Sequence, residues 1–255
     1  MITRSNRFED FFQNSNYIAL KNYLYNYTLR KHAVIKSIHI DENMTALEIG
    51  SGISPMITSM KNIVYCDLSF SALQVLRKAL GKGFYVVADS TQLPFRKDSF
   101  YNIVCSEVLE HIENDRAALR EIARILASPG SLVITFPHRQ FFFSFDDRFV
   151  RHFRRYELSE MISLLKDAGL KITKIAKVLG LLEKIIMVPT TFLIQKFQFI
   201  RPVQKNNTAE GTFLFRVFLF FFKWLNGLLA ILVWFEAKMV PLYYATVLII
   251  KAEKR

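Results

Sequence analysis

Apolar runs of strand length fall at residues 46–49, 62–66, 85–88, 100–105, 131–136, 170–175 and 244–252. Between several of them, at 71–80, 115–127 and 157–168, apolar residues recur every three or four positions, which is the helical period. Strands alternating with helices predict an α/β fold, because parallel neighbours need a crossover and a helix supplies it. Ahead of the first strand, Tyr17, Leu20, Tyr23, Leu24, Tyr27, Leu29, Val34, Ile35 and Ile38 share a helical spacing, so residues 1–40 are expected to form a helical cap.

Chemistry gathers where strands end. Residues 45–55, TALEIGSGISP, read as a buried strand entering Gly50-Ser51-Gly52 and then a helix opened by Ser54 and Pro55. Glycines allow a sharp turn close to a ligand, and a helix start offers free N–H groups to an anion, so a cofactor is expected across this turn. A dinucleotide fingerprint would place another Gly at the position of Pro55, which counts against a nicotinamide cofactor. Asp67 ends the second strand, where a carboxylate can accept both hydroxyls of a ribose; its alternative use, capping the next helix, can be filled by Ser69. Asp89-Ser90 follows the third strand, the segment from Ser106 to His111 the fourth, and Pro137-His138 the fifth.

The Glu48-x-Gly50-x-Gly52 pattern, Asp67, Asp89 with Leu93-Pro94-Phe95, and the helix, Pro129-Gly130 turn and strand together resemble the class I S-adenosylmethionine (SAM) methyltransferases over about residues 45–138. The chain departs from that family in having Ser54 where a third Gly is usual. The resemblance implies a Rossmann-like seven-stranded sheet of order 3-2-1-4-5-7-6, last strand antiparallel, with helices on both faces. It implies SAM as cofactor: Glu48, Gly50, Ser51 and Gly52 at the methionine part, Asp67 and Leu68 at the ribose, Asp89 and Ser90 at the adenine, and Ser106 beside them. Candidate bases are His138 and His111, then Glu107, although an acidic acceptor needs none. No metal is expected; the alternative set, on a resemblance to certain quinone-biosynthesis and RNA 2′-O-methyltransferases, is Glu107, Glu110 and His111. In that strand order Cys66 and Cys105 flank the first strand about 10 Å apart, too far for a disulfide, and read as reduced thiols of a cytosolic protein.

Residues 141–156, FFFSFDDRFVRHFRRY, set two acids ahead of Arg151, His152, Arg154, Arg155 and Tyr156, among phenylalanines. A similar Asp-Asp and His-x-Arg-Arg-Tyr occurs in a branch of bacterial methyltransferases. Arginine forks fit phosphate or carboxylate, so these five are the substrate-binding candidates, against the plainer reading of a solvated basic loop with structural ion pairs. The domain is thus expected at 41–178 and 241–255, interrupted by an apolar insertion at 179–240.

That insertion decides the class of partner. The chain has 255 residues, a net charge of +12, 24 phenylalanines and only two cysteines, and its pI is near 9.7. Basic and apolar together favour a membrane surface over nucleic acid, for which no binding module is visible, and no signal peptide is read at the start. Residues 184–200 and 211–235 are apolar stretches; since the last strand must rejoin the sheet, they cross a membrane twice or not at all. Central charges such as Lys184 and Lys223 would each cost about 2.5–3.5 kcal/mol in a spanning helix. Arg216, Lys223, Gly227 and Ala230 share one face, so a monotopic pair of interfacial helices is expected on the far side of the sheet, on the cytoplasmic face of the membrane. The expected function is methylation of a lipid, isoprenoid or lipid-linked acceptor. Alternatives are a soluble small molecule or quinone precursor, a non-catalytic membrane tether and, last, nucleic acid.

Overall fold

The computed structural model describes residues 20–39, 44–200 and 213–254, of which 193–200 and 213–215 are described as helical backbone. Tyr17 and the link between the two insertion stretches lie outside the described residues. Seven strands form one sheet: β1 Ala46–Ile49, β2 Ile63–Asp67, β3 Phe84–Val87, β4 Phe100–Ser106, β5 Leu126–Pro137, β6 Leu170–Leu179 and β7 Val247–Lys254. Their order is β3-β2-β1-β4-β5-β7-β6, with β7 antiparallel to both its neighbours, as expected. β1 is buried along its whole length, which places its carboxyl end and Gly50 at the middle of the sheet edge. Ile49 pairs with Cys66 on one side and Cys105 on the other, and both cysteines are free and buried.

The helices are α1 Tyr25–Ser37, α2 Phe70–Leu80, α3 Asp115–Ile125, α4 Phe145–Phe149, α5 Leu158–Asp167, α6 Leu181–Ile200 and α7 Phe213–Met239. Local chemistry sets several ends. The Ser69 hydroxyl accepts from the Ala72 amide to start α2, Gly81 closes it at φ +65°, and Asn114 caps α3 through the Ala117 amide. Strand alternation splits the core in two: Leu47, Ile49, Ile103 and Ile134 pack under α3 and α5, whereas Ala46, Tyr65, Val104 and Val133 face α1, α2 and the insertion.

The expected helix after the glycine turn does not form, and residues 53–62 are irregular. Its first polar groups are taken by other elements. Both Glu48 oxygens accept the amides of Met56 and Ile57, at 2.7 and 3.0 Å. The Pro55 carbonyl is used by the Tyr27 hydroxyl and the Lys31 ammonium of α1. The segment still buries Met56, Ile57 and Met60, so packing replaces the helical ladder.

Candidate active site

A cleft of about 1520 Å³ opens along the carboxyl ends of the strands, where such sheets bind ligands. One half is built from the first three strand ends. Gly50 and Gly52 both have positive φ, at +68° and +51°, and a Cβ at Gly50 would overlap Val108. The Gly52 amide donates to one oxygen of Asp67 and the Ser69 amide to the other, each at 2.8 Å. The carboxylate is thereby fixed on the cleft wall, with one amide on each oxygen. Burial raises the Asp67 pKa and these amides oppose the rise. Ser51 and Ser54 line the same wall with buried hydroxyls that have no hydrogen-bond partner among the described residues. Asp89 is held by Thr91, whose amide and hydroxyl both bond Oδ1, leaving Oδ2 to the cleft. This half fits SAM: a carboxylate for the diol, another for the base, and unpaired hydroxyls for the amino acid end.

The other half is formed by the turn after β4, the loop of residues 138–156 and α6. Glu107, at φ +55°, has Oε2 3.4 Å from Arg30 of α1. Glu110 is fully buried with neither oxygen hydrogen-bonded, and burial, then the nearby Glu107, pushes its pKa well above the carboxylate range. Glu110, His111 and His152 bring polar atoms within 4.8 Å of one another, a spacing at which they can share a proton or a cation. His152 stacks edge-on against His111 at 4.6 Å and meets Asp147 at 2.9 Å. Asp147 and Asp146 close on Lys184 of α6, whose ammonium bonds both carboxylates at 2.7–2.9 Å and the Ser144 hydroxyl at 3.1 Å. Burial alone would raise the Asp147 pKa, but the His152 hydrogen bond and the Arg155 and Lys184 charges hold it well below the usual range. Past Lys184, α6 contributes Met187 and Thr191 to the cleft wall.

A family profile described as a methyltransferase domain matches residues 47–134. A probable SAM-dependent methyltransferase of Mycobacterium tuberculosis is 27% identical over 153 residues, covering 56% of each chain. A demethylmenaquinone methyltransferase of Clavibacter sepedonicus is 34% identical over 98 residues, 36% of this chain and 40% of that protein. Among solved structures, one described as a putative methyltransferase from Bacillus halodurans superposes with a TM-score of 0.59 at 17% identity, covering 88% of this chain and 98% of that one. Residues 47–134 thus match a methyltransferase domain, and the fold is that of solved methyltransferases. The chain spans about half the length of the curated relatives it matches.

The structure redistributes the residues singled out from sequence. Gly50, Ser51, Gly52, Asp67, Leu68, Asp89, Ser90, Ser106, Glu107 and His111 all line the cleft. Glu48 lines it too, but its oxygens hold the Met56 and Ile57 amides, so it braces the turn; burial raises its pKa to about 7. The Ser106 hydroxyl is engaged by Thr135 at 2.7 Å. His138, expected first among the bases, does not line the cleft: it is buried, and its Nδ1 lies 2.9 Å from the Ala245 carbonyl. Burial lowers its pKa. Of the expected substrate residues, Tyr156 is fully buried in the core with its hydroxyl on Asp115. The Arg155 guanidinium serves Asp147 and the carbonyls of His138 and Thr246, and Arg154 serves Asp115 and the Glu113 carbonyl. Arg151, His152, Arg154 and Arg155 all line the cleft, and of the five only Tyr156 does not. The apolar insertion is not on the far side of the sheet, because α6 walls the cleft. Arg30, Lys184 and Met187 carried no local signal, although the paired acids Asp146 and Asp147 implied that a cation would meet them.

Proposed function

We propose that this protein is a SAM-dependent methyltransferase that acts on a lipid, isoprenoid or lipid-linked acceptor at the cytoplasmic face of a membrane, to which it is bound peripherally. The observation that carries this reading is that the apolar insertion is also a wall of the cleft. Met187 and Thr191 of α6 face the cleft, together with Leu179, Val247, Phe149 and Val150. Its companion α7 turns Phe218, Phe220, Phe221, Trp224, Ile231 and Phe235 to the outside. Residues Arg216–Met239 are long and apolar enough to cross a membrane by composition, with only 11% of the apolar window buried. An acceptor with an apolar tail could therefore pass from a bilayer surface to the cleft along the two helices of the insertion.

When bound, SAM supplies an electrophilic methyl group on a sulfonium. Asp67 holds its ribose, Asp89 its adenine, and the Gly50 to Gly52 turn with Ser51 and Ser54 its amino acid end. The remaining task of the chain is to hold the acceptor in line and to exclude water, which the loop of residues 141–153 and α6 perform. A quinone precursor is the second reading, favoured by the relative named demethylmenaquinone methyltransferase.

The test is purified protein, methyl-labelled SAM and a membrane-containing cell extract, followed by partition into organic, small aqueous, protein and nucleic-acid fractions. Label in the organic fraction, lost with Asp67→Ala, is the expected result. Label in another fraction replaces the acceptor, and label in none removes the methyl-transfer reading.

A further inference from the structure

We propose that His152 is the general base of the transfer, taking the acceptor's proton at Nε2 while Asp147 fixes the ring. This rests on the reading of the cleft as a methyl-transfer site. Sequence alone placed His152 with the arginines of a substrate loop; its surroundings give it a different task.

The ring is held from both ends of a short segment. Its Nδ1 lies 2.9 Å from Asp147 Oδ1, its backbone amide donates to the Asp147 carbonyl at 2.9 Å, and the next amide, of Phe153, donates to the Glu110 carbonyl at 2.9 Å. Only 9% of the His152 side chain is exposed, and the residue lines the cleft. Asp147 is kept ionised by Arg155 and Lys184, so it accepts and Nδ1 must carry the hydrogen. In the neutral ring that a base requires, Nε2 then carries the lone pair. Its nearest acid, Glu110, is 3.7 Å away, beyond a hydrogen bond, and burial together with Glu107 favours its neutral form. The other groups around the ring are His111, stacked on it, and Arg155 and Lys184, which reach it through Asp147.

Of the other candidates, His111 lines the cleft edge-on to the His152 ring, and it is the His152 ring that Asp147 holds at 2.9 Å. His138 lies outside the cleft lining with Nδ1 at the Ala245 carbonyl, and Glu107 faces Arg30. For a hydroxyl acceptor the step balances as follows. The O–H proton moves to Nε2, and the pair left on oxygen forms the bond to the methyl carbon. The S–C pair stays on sulfur, which becomes a neutral thioether. The positive charge, now on the imidazolium, sits against the Asp147 carboxylate until the proton passes to water.

The experiment uses the full-length protein, methyl-labelled SAM and an organic extract of membrane lipids as the acceptor probe. His152→Ala is expected to lower turnover by about 100-fold or more. SAM affinity should stay within about twofold, since a base acts on the transition state rather than on cofactor binding. Added imidazole should restore part of the activity, which a merely structural role would not allow; His152→Gln serves as a second, volume-conserving variant. In ¹⁵N-histidine spectra the wild-type ring should be the Nδ1–H tautomer. Retained turnover in both variants, lost SAM affinity without rescue, or an Nε2–H tautomer would each overturn the proposal. So would stoichiometric Mn²⁺ binding that His152→Ala abolishes, because the imidazole would then be a ligand. Wild-type protein that labels no fraction removes the methyl-transfer reading and the base with it, whereas active wild type with an unaffected His152→Ala removes the base alone.

Discussion

A methyl group added at Gly50 would enter the space of the Val108 side chain, and the backbone there has φ +68°. Gly50→Ala is therefore expected to cost about 1–3 kcal/mol through overpacking and strain. Calorimetry would read this as a fall of about 2–4 °C in Tm per kcal/mol for a chain of this size. An unchanged Tm would mean that the turn adapts. The places of Gly50, Asp67 and Asp89 on the cleft wall were legible in the sequence because their signals are local: a turn that needs a positive φ, and acids placed where strands end. His138 was misread for the opposite reason. Its direction is fixed by the Ala245 carbonyl, 107 positions away, and nothing near it in the chain signals that contact.

At the scale of elements, α6 is tied to the rest of the fold at its first turn. The Leu182 amide bonds Glu236 of α7, Gly180 lies so close to that carboxylate that a side chain would overlap it, and Lys184 enters the Asp146–Asp147 pair. Lys184→Met would leave two buried carboxylates short of their cation and is expected to cost about 3–5 kcal/mol, measured by urea unfolding at pH 7. A loss below 1 kcal/mol would sink this account. The pH dependence follows from the depressed Asp147 pKa. Its stabilisation is complete above the unfolded aspartate value of about 4 and drains away as pH falls through the lower folded value. The stability gap between wild type and Asp147→Asn should accordingly narrow below about pH 4. Strand positions and their order could be anticipated from apolar runs and the family resemblance. The missing helix at residues 53–62 could not, since it was lost to bonds with Glu48 and with α1 that lie off the local sequence.

For the whole molecule, α7 is the unusual part: Asn226, Val233 and Ala237 face the protein, while large apolar side chains face out. Lys223 and Lys238 fold back over the rings of Tyr23 and Trp234 at 4.1 and 3.6 Å, so cations border this surface. The protein is expected to sediment with vesicles containing anionic lipid, with a blue shift of Trp224 and Trp234 emission. Each large side chain that sinks contributes about 1.5–3 kcal/mol. Joint Phe221→Ser and Trp224→Ser substitution should then weaken partitioning by at least about tenfold. Vesicles that leave the protein in the supernatant would refute peripheral binding. The sheet pairing adds one consequence of its own. Leu179, the last residue of β6, and Val247, the first of β7, are direct partners across the two strands, so the two helices hang from what is topologically a hairpin loop. Such a loop can lengthen, shorten or be exchanged without touching strand order, and the sheet would close over its removal with a tight turn. What resists exchange is Lys184: any replacement must bring its own cation to Asp146 and Asp147, so the insertion is portable in geometry but matched in charge.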